Sequence, residues 1–307
     1  MIVRVLGTAA GGGVPQWNCH CANCEAARAG RAPARMQASI AVSSDGLAWV
    51  LVNATTDVRR QLELLPARHR GHMRATPVSA ILLTDANIDH TAGLLEFRQA
   101  QTLRIFSSTI VRDALAGGNS MFVPLETGGR TWSVFDPGAV QADVPISVTG
   151  LRVTAIEVPG LMPSYAGAEE LPGSATAYCF ESRNGKHSAR LLYAPVTLRM
   201  NEALLAAADS CDVIFLDGSF WSDDELASLG LGTRSARDMG HAPIGGRDGW
   251  LHEMAGHAAA AGPHRYCTHI NNSNPVLDPR SAAAQALRDA AFSIPSEGAE
   301  IVLDGTR

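Results

Sequence analysis

The sequence has no long hydrophobic run. No stretch of its 307 residues approaches the ~18 consecutive apolar residues needed to span a bilayer, so a transmembrane helix is not expected. It has no surplus of basic charge either. Its 25 Lys and Arg stand against 30 Asp and Glu, a net charge of -5, which gives no electrostatic reason to seek phosphate backbones or anionic lipid. Neither a nucleic-acid nor a membrane partner is expected, and the local pairs Arg59/Arg60 and Arg68/Arg70 read as solvated faces. The opening MIVRVLGTAAGGG lacks the charged start and long apolar centre of a signal peptide. It reads as a strand running into a glycine loop, and the expected compartment is the cytoplasm. That loop lacks the Lys-Ser/Thr that would make Gly11–Gly13 a phosphate cradle. With no repeat, low-complexity tract or convincing linker, residues 1–307 read as a single domain.

What is present is ordinary globular material. Apolar residues make up 46% and charged residues 18%, enough to bury a sizeable core. Strands are expected at Ile2–Leu6, Ser39–Ser43, Leu47–Asn53, Val78–Leu83 and Leu103–Ser107, the second and third forming a hairpin around Asp45–Gly46. Helices are expected at Thr56–Leu65, at Thr91–Gln99 and after a cap at Ser108 or Thr109. The second half repeats the style. Strands Ile146–Val148 and Leu151–Val158 pair around Thr149–Gly150, and Ala175–Ser182 pairs with Ser188–Ala194 across Arg183–Lys186. Helix Val196–Ala207, strand Asp212–Leu216, helix Gly249–Ala261, strand His264–Thr268, helix Ser281–Ala291 and strand Glu300–Leu303 follow. Hairpins and βα units in two similar halves point to an α/β (α+β) four-layer αββα sandwich, whose chemistry should collect in loops beyond strand ends. The Gly- and Pro-rich loop Gly160–Gly173 is long enough to act as a lid.

Of six cysteines, Cys19, Cys21 and Cys24 fall within six residues, in a knuckle at about 17–24. Such spacings suit a disulfide framework poorly. In a reducing compartment they more often bind metal, and three thiolates at C-x-C-x-x-C can close on one face of a tetrahedral ion. A structural Zn2+ is expected, its fourth ligand left open among His20, water and a residue elsewhere. Cys179, Cys211 and Cys267 lie in apolar contexts and read as buried core thiols.

The most informative stretch is Thr84-Asp85-Ala86-Asn87-Ile88-Asp89-His90, directly after the buried strand VSAILL. It resembles the T-H-x-H-x-D-H motif that the metallo-β-lactamase superfamily places at this strand-to-helix turn. The two histidines of that family's first metal are replaced by Asp85 and Asn87, while Asp89 and His90, of the second metal, remain. The strand TAIEV carries no third first-metal histidine. IFLDG supplies Asp217 in the place of the bridging aspartate, and RYCTH supplies His269 in the place of the last metal histidine. The resemblance therefore implies a second-metal set, Asp89, His90, Asp217 and His269, with the first set gone. Any one of these alone would more simply be a strand-end capping residue. Two imidazoles with one or two carboxylates suit a single divalent transition metal, not the two-metal clamp of hydrolases, and Asp85 and Asn87 are left to orient substrate or add a ligand. Three-cysteine knuckles also occur in a phosphodiesterase branch of the superfamily. There a histidine completes the site at the position held here by Asn272, which joins the open choices for the fourth ligand.

TDANIDHTAGL, LLYAP, DMGHAPIGG and THINNSNP, with the cysteine cluster, resemble from the glycine loop to the final strand a branch of the superfamily that works in pyrroloquinoline quinone (PQQ) synthesis. That resemblance implies iron-dependent, oxygen-using hydroxylation of the tyrosine ring of a crosslinked Glu-Tyr unit cut from a small precursor peptide. A carrier of PQQ or its precursor is the alternative, and a metallo-hydrolase a second. The implied partners are that precursor and molecular oxygen, with a homodimer and contacts to other pathway proteins left open. Fe2+ is the implied active-site ion, although His and Asp also suit Zn2+ and Mn2+. His241, in the polar loop DMGHAP, is expected to shuttle protons. His252 is the likelier of His252 and His257 to point at the site. Ser164, Tyr165, Arg234 and Arg237 are candidate contacts for an acidic substrate, arginine matching carboxylates bidentately. His69, His72, His187 and His264 carry no signal.

Overall fold

Strands that are apolar on consecutive residues need cover on both faces, and this requirement organises the molecule. The structure, a computed structural model, describes residues 1–66, 75–99, 102–117, 121–122, 125, 130–135, 141–146, 150–184, 187–257 and 264–303. The first half contributes β1 (Ile2–Gly7), β2 (Ser39–Ser43), β3 (Trp49–Val52), β4 (Val78–Leu82), β5 (Leu103–Ser108) and β6 (Arg130–Phe135). The second contributes β7 (Gln141–Val144), β8 (Leu151–Val158), β9 (Ala175–Asn184), β10 (His187–Ala194), β11 (Val213–Asp217), β12 (His264–Thr268) and β13 (Phe292–Ser293), before β14 (Glu300–Val302) returns to the first sheet. The sheet orders are β14-β1-β2-β3-β4-β5-β6 and β13-β12-β11-β10-β9-β8-β7. Helices α1 (Ala22–Arg28), α2 (Val58–Leu62), α3 (Ile88–Thr91), α4 (Thr109–Ala116), α5 (Glu202–Ser210), α6 (Glu225–Ser228), α7 (Trp250–Glu253) and α8 (Ala282–Asp289) complete the chain.

Three apolar layers result. Between the sheets pack Val3, Val5, Ile40 and Val50 from one side and Tyr178, Phe180, Leu191 and Phe215 from the other. Outside the first sheet, Leu51, Ile81 and Ile105 meet Val58, Leu94 and Val111. Outside the second, Leu192, Ile214 and Leu216 meet Leu204, Trp250 and Leu287. Period-two alternation explains the division: Leu191 and Leu192 are neighbours on β10, yet serve opposite faces. Each such side chain, fully buried, contributes about 2 kcal/mol relative to exposure. The expected four-layer αββα sandwich is the fold observed.

Several elements differ from expectation. The partner of β8 is β7, with Val144 opposite Val153, rather than Ile146–Val148. Ile146 closes a turn onto the Val144 carbonyl and packs against the core between the sheets, and residues 147–149 lie outside the described residues. Helix α5 begins at Glu202 because Asn201 caps it, accepting from the Leu204 N–H. The preceding segment is not helical. Its Thr197 N–H is spent on Asp217 instead. The helix expected over Gly249–Ala261 is α7 followed by a single 3-10 turn, Met254–Gly256, with 258–263 outside the described residues. Thr91–Gln99 is largely 3-10. The caps at Ser108 and Ser281 form with Val111 and Ala284. Strands β6 and β7 and helices α1 and α6 were not anticipated. Arg68, His69, Arg70, His72 and the Gly185–Lys186 turn lie outside the described residues.

Candidate metal centre

The polar residues gather where β1, β4, β11 and β12 end. After β4 the chain turns through Thr84–Asn87 into α3, which presents Asp89 and His90. Asp85 faces its own turn. It is buried, and its Oδ2 accepts from His90 Nδ1 at 2.6 Å and from the Thr84 hydroxyl at 2.6 Å. Its Oδ1 accepts from the backbone and side-chain N–H of Asn87 at 2.9 and 2.8 Å. In the neutral ring, or once a metal has displaced the second proton, a histidine whose Nδ1 donates presents a lone pair at Nε2. His90 Nε2 is buried and has no hydrogen-bond partner among the described residues. It lies 3.7 Å from Asp89 Oδ2.

His269 mirrors this arrangement from the other sheet. It follows β12 with φ of 57°, a left-handed conformation for a non-glycine residue, which costs of order 1 kcal/mol and clusters at functional sites. Its Nδ1 meets the Ser219 hydroxyl at 2.8 Å, and its Nε2 lies 3.3 Å from Asp89 Oδ2. The His90 and His269 rings cross edge to face with centroids 4.9 Å apart. Asp89, His90 and His269 thus offer three ligand atoms within 4.8 Å of one another. Gly11, at the end of the β1 loop, leaves room for the carboxylate: a Cβ there would lie 3.2 Å from Asp89 Cγ and Oδ2.

Asp217 and His241 form a second group with His269. Asp217 Oδ2 accepts from His241 Nδ1 at 2.7 Å and from the Thr197 N–H at 3.0 Å. Its Oδ1 accepts from the Ser219 N–H at 3.0 Å and the Ser219 hydroxyl at 2.6 Å. Four hydrogen bonds thus hold this carboxylate, and it faces His241 rather than Asp89. Ser219, in the turn Asp217-Gly218-Ser219, was not anticipated. It donates to Asp217 and accepts from His269, and the only sequence signal was a hydroxyl two residues after a strand-end aspartate. Buried Trp250 braces the same turn, its Nε1–H donating to the Asp217 carbonyl at 2.8 Å.

Three buried or half-buried carboxylates, Asp85, Asp89 and Asp217, share this space. Among the described residues no lysine or arginine is bonded to them. Burial disfavours charge on His90, yet Asp85 and Asp89 outweigh it and push its pKa up to about 9. Burial likewise opposes charge on His241, and Asp217 again prevails and raises it. Burial, with the two neighbouring imidazoles, holds His269 below the usual histidine range. Burial works against ionisation of Asp89, but His90 and His269 keep it well below the usual carboxylate range. A largely buried site of this negative field, with an unpartnered imidazole nitrogen, fits a divalent cation.

The remaining candidates separate clearly. A cleft of ≈ 290 Å³ opens beside Asp89, lined by Asn87, Ser164, Tyr165, Arg234 and Asp238 and by an apolar strip that includes Met162. Tyr165 donates its hydroxyl to the Ala86 carbonyl, and burial pushes its pKa up to about 12. Arg237 is off the cleft, paired with Asp223 at 3.5 Å and donating to the Asp248 carbonyl. His252 does not point at the site. Helix α7 buries Trp250 and, one turn on, Met254, which leaves His252 exposed on the opposite face. The expectation for His252 is corrected on that ground.

In the knuckle, Cys19, Cys21 and Cys24 offer their sulfurs within 4.8 Å of one another. Asn272 Nδ2 lies 3.0, 3.5 and 3.4 Å from the three. His20 turns away to pair with Glu25 at 2.8 Å, largely in solvent. Asn23 ties the knuckle to the β12 loop, donating to the Asn272 and Asn274 carbonyls at 2.9 Å each.

Comparison with known proteins accords with this architecture. The Beta-lactamase superfamily domain matches residues 48–270. Coenzyme PQQ synthesis protein B of Klebsiella pneumoniae subsp. pneumoniae is 37% identical over 315 residues, covering 100% of this chain and 99% of that protein. The chain belongs to the coenzyme PQQ synthesis protein B family. A member from Pseudomonas syringae is 36% identical, covering 99% of this chain and 100% of its own. The crystal structure of Zn2+-bound PqqB from Methylobacterium extorquens superposes with a TM-score of 0.89 at 31% identity, covering 99% of this chain and 100% of that one. A diphosphatase of the PhnP family, at TM-score 0.66 and 18% identity, shares the fold alone. No helix among the described residues is long and apolar enough to cross a membrane.

Proposed function

We propose that this chain acts in PQQ biosynthesis as an oxygen-using hydroxylase of the tyrosine ring in a crosslinked Glu-Tyr precursor, holding one divalent metal, iron by preference, on Asp89, His90 and His269. The observation that carries this reading is the convergence of two imidazole Nε2 atoms on Asp89 Oδ2, each imidazole having its Nδ1 tied back, one to Asp85 and one to Ser219. Two histidines and one carboxylate with open positions are the donor set of non-haem iron oxygenases, and iron so held would supply a place where oxygen and a phenol meet. Asp217 fixes His241 through Nδ1, leaving His241 Nε2 to hold or pass a proton beside the site. The cleft offers the aromatic part of a substrate an apolar strip and offers its carboxylates Arg234. Retention of Asp89, His90 and His269 without the histidines that Asp85 and Asn87 replace argues against a two-metal hydrolase.

We further propose that the knuckle holds a structural Zn2+, with the Asn272 amide turned so that Oδ1 completes Cys19, Cys21 and Cys24. Amide nitrogen and oxygen exchange places by a flip, and the terminal atom already caps the three sulfurs.

The test is metal analysis of protein purified anaerobically with iron supplied, followed by oxygen uptake with the crosslinked Glu-Tyr diamino acid. One zinc and one iron per chain with substrate-dependent oxygen consumption is the expected result. Iron-loaded protein that consumes no oxygen would overturn the reading, and tight quinone binding without turnover would replace it with a carrier.

A further inference from the structure

Cys179 and Cys211 belong to neither metal cluster. The sequence places them 32 residues apart in apolar surroundings, where buried thiols are usually inert. The fold brings them together: Cys179 on β9 and Cys211 just after α5 have sulfurs 3.7 Å apart. On the adjacent strand β10, Arg190 directs Nη2 to within 3.7 Å of Cys179 Sγ. Arg190 Nε is buried beside it with no hydrogen-bond acceptor among the described residues. Glu181 stands opposite Arg190 in the strand register, and Asp212 accepts from the Arg190 backbone N–H at 2.8 Å.

We propose that Cys179 and Cys211 are a peroxide-reactive thiol pair, with Cys179 as the nucleophile, that closes to a disulfide. The pair is polarised in that sense. The hydrogen bond from Cys211, with the Arg190 charge, brings Cys179 down to about 7, while the same hydrogen bond and burial push Cys211 far up. A thiolate beside a guanidinium is the reactive form of cysteine. Its sulfur attacks one oxygen of a hydroperoxide and the O–O bond breaks. For hydrogen peroxide, the departing hydroxide takes a proton and leaves as water, and Cys179 becomes a sulfenic acid. The Cys211 sulfur, losing its proton, then attacks Cys179 Sγ and the S–O bond breaks. The sulfenic hydroxyl and that proton leave as a second water. In sum, two thiols lose two electrons and two protons to the peroxide, and one S–S bond forms. Burial of both sulfurs restricts the oxidant to a molecule of about this size.

The experiment treats the full-length, zinc-loaded, iron-free chain with hydrogen peroxide, alkylates free thiols under denaturation and maps the cysteine peptides by mass spectrometry. The expected result is a Cys179–Cys211 linked peptide that dithiothreitol reverses, from protein whose two thiols resist a bulky aromatic disulfide reagent before denaturation. Arg190→Gln should slow linkage by about fivefold or more, and Cys211→Ala should leave a sulfenic acid on Cys179 that dimedone captures. The wild-type peptide map decides the matter by itself if a variant fails to fold. Recovery of both residues as alkylated thiols, oxidation of Cys179 straight to the sulfonic acid, or an Arg190→Gln rate within twofold of wild type overturns the proposal.

Discussion

Replacing Asp85 by Asn tests the centre at its most diagnostic point. The change is nearly isosteric, so packing around this buried residue is retained. What changes is the direction of the two hydrogen bonds at Oδ2, from His90 Nδ1 and from the Thr84 hydroxyl. In the native chain Asp85 Oδ2 accepts from His90 Nδ1 at 2.6 Å, which leaves Nε2 as the lone-pair nitrogen. The Asn87 backbone and side-chain N–H groups already occupy Oδ1, so the new amide keeps its oxygen there and turns its NH2 towards His90. Nδ1 must then accept, the ring proton moves to Nε2, and the nitrogen that faces Asp89 ceases to be a ligand in the favoured tautomer. The site also loses one of three negative charges. Partners that orient metal-bound histidines are typically worth 10–100-fold in affinity, so Asp85→Asn should cost about 1.4–2.7 kcal/mol of binding at this centre. Competition against a chelator of known affinity reads this directly. The cysteine knuckle, on separate residues, should keep its zinc and serve as the internal control. Active-site affinity within twofold of wild type, or parallel loss of the knuckle zinc, would refute the tautomer argument.

Other predictions follow from the same geometry. His269→Asn retains a residue that tolerates the left-handed backbone but removes a proposed ligand, so active-site affinity should fall by more than roughly the 100-fold of an orienting partner, with the zinc proposed for the knuckle and the thermal midpoint little changed. Gly11→Ala sets a methyl 3.2 Å from the Asp89 carboxylate and should weaken the same metal by about 1 kcal/mol, seen in the same competition titration. Glu225, buried and accepting from the Trp221 N–H and the Ser273 hydroxyl, has its pKa pushed up by burial to about 6. A raised carboxyl pKa means that the folded state holds the proton more tightly than the unfolded chain. The stabilisation is therefore complete below the ordinary glutamate range and is lost as pH rises through about 6, a change of about 2 kcal/mol. Glu225→Gln should flatten the urea stability profile across that window, and wild-type and variant profiles that stay parallel would contradict this.

The sequence by itself determined the layers and marked most of the polar residues that the fold gathers at one end. Consecutive apolar residues such as those of Val78–Leu83 need cover on both faces, and period-two alternation shares them between layers, so the sandwich could be read without coordinates. Asp89, His90 and His269 stand at ends of apolar strands or in the turns beyond them, and ordering along the chain was enough to collect them. Helix extents were read less well. Local propensity does not know that the Thr197 N–H is needed by Asp217, nor that Asn201 caps the helix downstream. Only the tertiary structure decided direction and partnership. Asp85 occupies the place of a metal histidine in the sequence pattern, yet it turns to His90. His252 and His241 look alike as sequence, but one lies opposite the buried face of α7 and the other against Asp217. Cys179 and Cys211 read as two separate core thiols until the sheet set them 3.7 Å apart. Apart from the Asp85–His90 pair, which are five residues apart in one turn, each of these is a contact between residues distant along the chain or a choice of helix face. Such things are set by how the two sheets close on one another, which no local pattern of residues records.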